Sequence, residues 1–175
     1  MFKISLCVFL VLATSPAFSQ HAHHHSDGPT EVGQSAFAAI SEIVEVLQND
    51  PETDWTKVNI SALQNHLVDM DLVTTRTKVT VETKDMIVAI TVLGQGESVG
   101  AIQRMTTAHA PMLAAETGWK IDVDQTTAGA ILRIAVSSEK ELARAIGLGF
   151  YGVMTIGAHH QAHHLQIARG DSPHH

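Results

Sequence analysis

"TKVTVET" (residues 77–83) followed, after Lys84-Asp85, by "MIVAITVL" (residues 86–93) decides the fold of this chain. The first run alternates apolar and polar residues. The second is apolar and rich in β-branched side chains. Two such runs joined by a two-residue turn read as a β-hairpin. Gly94 and Gly96 break the pattern. A helical period follows over residues 98–116, with Val99, Ile102, Met105, His109, Met112 and Leu113 on one face, and Gly118 stops it.

The same order then recurs. "WKIDVDQT" (residues 119–126) alternates, residues 127–129 turn, and "AILRIAV" (residues 130–136) alternates again. Ser137 or Ser138 caps a helix, with Glu141 placed for a capping box. Its apolar stripe runs through Leu142, Ile146, Gly149, Val153 and Ile156, then reaches His160, His164 and Ile167, which predicts one long helix ending at Arg169-Gly170. Residues 77–118 and 119–170 therefore read as two copies of a strand–strand–helix unit. The last helix carries Gly147, Gly149, Gly152 and Gly157. Each glycine in a helix costs about 1 kcal/mol, so these point to close backbone approach.

Upstream, Phe37, Ile40, Ile43, Val44 and Leu47 share one helical face, and Asn49-Asp50-Pro51 ends that helix. Ile60, Leu63, Leu67 and Met70 form the stripe of a second one. The expected fold class is α+β: a four-stranded, mainly antiparallel sheet with long helices on one face, preceded by two N-terminal helices. Residues 34–170 make one domain.

The ends read differently. Residues 1–19 have the form of a secretory signal peptide: Lys3, an apolar run over 4–13, and Ala17 and Ser19 at the positions a signal peptidase reads. The apolar run is too short to span a membrane, which takes about 20 residues. The expected location is periplasmic or secreted, with no membrane attachment after cleavage. Cys7 is the one cysteine and lies in this segment, so the mature chain has no disulfide, thiolate ligand or thioether haem link. Residues 20–33, with "HAHHH", form a polar His-rich tail expected to be disordered, and residues 171–175 a short C-terminal tail. Eighteen acidic residues against 11 Lys and Arg exclude the charge balance of a nucleic-acid binder.

Histidine is the outlier. All 12 lie beyond residue 20, and four fall in "HHQAHH" (residues 159–164). Side chains four apart share a helix face, so His159 with His163 and His160 with His164 can each converge on one ion. His109 has Met105 and Met112 on its face, and His66 has Met70 one turn on. Taken singly, each group has an ordinary explanation. These are a helix-end cation, a core histidine bonded to a carbonyl, and a half-exposed side chain. Taken together, imidazole and thioether are the ligands a cysteine-free exported protein would use for copper, with zinc or nickel as the alternatives. His109 is the group expected to meet the His160–His164 face, should the two long helices pack side by side.

There is no His-Glu-x-x-His, no Glu-x-x-His pair, no Gly-x-Ser-x-Gly and no P-loop. "GQGESVG" (residues 94–100) reads as a turn. The leading reading is an exported transition-metal carrier or buffer. Its metal candidates are His159, His160, His163 and His164, then His109, Met105 and Met112, then His66 and Met70. Its partners are the metal ion and a protein that donates or accepts it, or a second copy of the chain. The rivals are a metal- or cofactor-dependent enzyme, and a metal-free domain for dimerisation or an apolar ligand.

Overall fold

The computed structural model describes residues 35–157 and 160–171, all within one compact unit of the chain. The signal-peptide and His-rich-tail readings (residues 1–19 and 20–33), and residues 172–175, lie outside the described residues. In chain order the elements are α1 (Ser35–Asn49), α2 (Ile60–Thr75), β1 (Lys78–Lys84), β2 (Ile87–Leu93), α3 (Glu97–Thr117), β3 (Lys120–Thr126), β4 (Gly129–Ala135), α4 (Glu139–Val153) and α5 (His160–Ala168).

Both alternating runs form hairpins, and β2 and β4 join them into one antiparallel sheet of order β1-β2-β4-β3. The α+β class follows directly. Alternation sets the faces. Val88, Ile90 and Val92 pair with Ile134, Leu132 and Ala130, and all six are buried under the helices. On the opposite face Arg133 of β4 is ion-paired with Asp124 of β3. The second unit repeats the first with one constant offset. Lys78, Ile87 and Glu97 open β1, β2 and α3; Lys120, Gly129 and Glu139 open β3, β4 and α4, each 42 positions later. The helices cross over, with α3 lying on β3 and β4 and α4 on β2 and β1.

The α4 start is capped as its sequence implies. Ser138 Oγ accepts from the Glu141 N–H at 3.3 Å, and Glu141 Oε2 accepts from the Ser137 N–H at 3.0 Å. These Ser137 bonds, backbone before hydroxyl, hold the Glu141 carboxyl below its ordinary pKa.

The expected single long helix after β4 is corrected by the structure. It is kinked at Gly149 (φ 55°, ψ −163°) and ends at Val153; the chain turns, and α5 starts at His160. Gly157, at φ +69°, makes that turn. The glycines thus divide by cause. At Gly149 a Cβ would meet no neighbour within 4 Å, so the requirement there is the backbone angle. At Gly157 a Cβ would lie 3.1 Å from Met112 O and 3.3 Å from Glu116 Cβ, so the turn also presses on α3.

The break has a consequence for packing. α3 and α4 share the main core with the sheet, around Phe150, Ile102, Leu113 and Val153. α5 instead joins α1 and α2 in a second core of Ile43, Leu47, Leu63, Ile167 and Ala168. Its C-terminal end is fastened there. Asn59 N–H donates to Ala168 O at 2.7 Å, and Arg169 Nη2 meets Asp50 Oδ2 at 2.6 Å. Replacing Gly157 by Ala forces a left-handed angle on an L side chain. The expected result is a loss of about 1–2 kcal/mol, read as a lower urea midpoint at unchanged slope, with faster hydrogen exchange in α5.

Candidate metal centre

His66 stands on α2, three residues after Leu63, whose side chain is fully buried in the α1–α2–α5 core. Asn59 starts that helix, its Oδ1 accepting from the Ala62 N–H at 3.0 Å. The face of α5 that packs inward carries His164, Ile167 and Ala168, which are 6%, 9% and 0% exposed. Docking of Ile167 and Ala168 therefore sets the position of His164 and of its half-buried neighbour His163.

These constraints bring three imidazoles together from two helices. The His66 ring centroid lies 4.9 Å from that of His163 and 5.6 Å from that of His164, edge-on to both at 68° and 70°. His163 and His164 are 6.5 Å apart. Two imidazoles on one tetrahedral ion have centroids roughly 5–6 Å apart, given a metal–nitrogen bond of ~2.1 Å. The two contacts of His66 fall in that range, and the His163–His164 separation is wider. Among the described residues, no three His, Cys, Asp or Glu side chains already stand in a metal-binding arrangement. For all three rings to hold one ion, His163 and His164 would have to turn toward His66.

The other candidates are placed as follows. His109 is 5% exposed, and its Nε2 is 3.1 Å from Val153 O. A carbonyl only accepts, so that nitrogen carries the proton. The bond satisfies one of the carbonyls left open at the end of α4. His109 was expected to face the histidine helix; because that helix is a separate element, His109 meets the end of α4, and His66 is the residue that meets His163 and His164. Met105 is half-buried on α3, packed on the main core, and it lines a groove that His66 also lines. Met70 and Met112 are half-buried on α2 and α3. The backbone of His160 begins α5, while the His160 side chain and all of His159 lie outside the described residues.

That groove, about 930 Å³, runs between α2 and α3, with Ile167 and Asp171 at the α5 side. Arg104 spans it, donating to both carboxylate oxygens of Asp69 at 2.7 Å. Arg104 and Asp171 carried no signal in the sequence reading. Contacts between helices distant in sequence leave no local spacing signal.

Among the described residues no helix is long and apolar enough to cross a membrane. Comparison with protein-family models, with curated proteins and with solved structures finds no match for this chain.

The His109 bond makes a separable prediction. His109→Leu keeps an apolar side chain in the core but removes the donor to Val153 O. Stability should fall by about 1–3 kcal/mol, measured by urea unfolding, while metal uptake is unchanged. An unaltered midpoint would show that the bond contributes nothing.

Proposed function

We propose that this protein is an exported transition-metal carrier or buffer whose structured site is His66 with His163 and His164. Copper is the favoured ion, with zinc or nickel behind it. The observation that carries the reading is the convergence of three rings from two helices, with centroid distances of 4.9 and 5.6 Å to His66. Neutral imidazole binds all three metals, and two of the rings sit where the α5 docking contacts fix their backbone. Export through residues 1–19 and capture by the His-rich tracts at 20–25 and 174–175 belong to the same reading.

The groove favours a second reading, a metal-dependent enzyme, because Asp69, Glu97 and Asp171 line it beside His66. A metal-bound water and a carboxylate base are what hydrolysis would use. Asp69 is already engaged by both Arg104 bonds, and Glu97 stands at the far start of α3, which leaves Asp171 as the base for that chemistry. Histidines pointing to solvent would have favoured the metal-free reading; His164, at 6% exposed, is turned inward.

The test uses the full chain with Cys7 and the six terminal histidines (His21, His23, His24, His25, His174 and His175) replaced by Ser. This background should bind Zn(II) or Cu(II) with micromolar or tighter affinity, and bound metal should raise its melting temperature. His66→Ala and His164→Ala should each weaken binding at least about tenfold, the scale on which lost site residues act. A background that binds none of Zn(II), Cu(II) and anaerobically presented Cu(I) would refute the carrier reading. Metal-dependent hydrolysis of model esters that is lost in Asp171→Asn would favour the enzyme.

A further inference from the structure

We propose that Met105 is a further ligand of this site, reached through the α2–α3 groove, and that the site is thereby selective for Cu(I). The inference rests on the metal-site reading above and specifies its oxidation state, its additional ligand and its entry path. Three observations carry it. First, Met105 and His66 line one groove, on opposite walls. Second, the Asp69–Arg104 pair fixes how the walls align: His66 is one turn before Asp69 on α2, and Met105 directly follows Arg104 on α3. Leu72, a turn beyond Asp69, lies with Glu97 and Ser98 at the start of α3, so the two helices run antiparallel. His66 is therefore level with Met105 and Ala108. Third, Ala108, the next groove-lining residue of α3, is small, so its own side chain adds little bulk to that wall.

The chemistry then separates the metals. Thioether sulfur is a soft donor that favours Cu(I), while imidazole accepts copper in either state and zinc. Three imidazoles alone do not discriminate; three imidazoles with a methionine do. With Asp69 already paired to Arg104, Glu97 and Asp171 are the acidic groups along the same groove that attract a cation, and Asp171 stands at the end formed by α5. No covalent or redox step is required, because ions enter and leave by ligand exchange.

The experiment compares two probes on the tail-substituted, Cys7-substituted background. Cu(I) is presented anaerobically in competition with a chromophoric Cu(I) chelator, and Zn(II) is titrated separately. Met105→Leu preserves volume and apolar packing on the core, and circular dichroism and a melting curve establish that it folds. The expected result is a loss of Cu(I) affinity of at least about tenfold, with Zn(II) affinity unchanged within twofold. A copper–sulfur path in X-ray absorption should be present in the parent and absent in Met105→Leu. Met105→Ile provides a second variant should Leu perturb the fold. Equal Cu(I) affinity in parent and variant, together with weakened binding in His66→Ala, would overturn the role of Met105 while leaving the histidine site standing. Equal loss of both metals in Met105→Leu would also overturn it, since that marks a packing defect. Absence of binding of either ion by the parent would remove both proposals together.

Discussion

The helical run that leaves the second hairpin cannot continue past Val153, and the candidate site depends on that interruption. A continuous helix would have carried residues 159–164 along the line of α4. Gly149 and Gly157, both at positive φ, bend and turn the chain instead. α5 is thereby released from the sheet layer. It is recaptured by the α1–α2 pair through Ile167 and Ala168 in the second core, the Asn59–Ala168 backbone bond and the Asp50–Arg169 ion pair. The histidines follow from that docking. With Ile167 and Ala168 buried, helical geometry places His163 and His164 one turn earlier on the same side, against His66.

The two halves of the chain contribute differently. The duplicated strand–strand–helix unit supplies a platform in which α3 and α4 bury the inner face of the central strands β2 and β4, while Val81 on the edge strand β1 stays 40% exposed. Its second copy departs from the first only beyond the sheet. α3 runs 21 residues without a break, whereas α4 ends after 15. The early end of α4 leaves carbonyls that need donors, and His109 supplies one at Val153. It also frees the segment that becomes α5. The structural histidine and the clustered histidines are thus products of the same departure from the repeat. The open groove between α2 and α3 lies where the platform and the three-helix layer meet.

Much of the fold was legible because it rests on period. Alternation in residues 77–83 and 119–136, with the β-branched run at 86–93, specified both hairpins and the α+β class, and a serine cap at 137 or 138 with Glu141 near its third position was readable from spacing alone. The site was legible only in part. Spacing of four identified His160 and His164 as sharing a face; of that pair His164 is buried, while the His160 side chain lies outside the described residues. Which helix would receive the face was not readable, because i,i+4 arithmetic operates within one helix. His109 ranked ahead of His66 on the assumption that the last helix ran beside α3. The glycines of α4 were read as close-approach residues, yet Gly149 has open space around its Cβ position, and its role is conformational. A positive φ leaves no trace in sequence beyond the glycine itself.

The central claim is that His66, His163 and His164 act on one ion. Long-range proton–nitrogen NMR of the imidazole side chains during Zn(II) addition tests it most directly, in the chain with the terminal histidines replaced. The account predicts that ring signals of His66, His163 and His164 move together and saturate at one equivalent, while those of His109 stay fixed. Ring signals of His66 that remain unmoved while His163 and His164 titrate independently would contradict it.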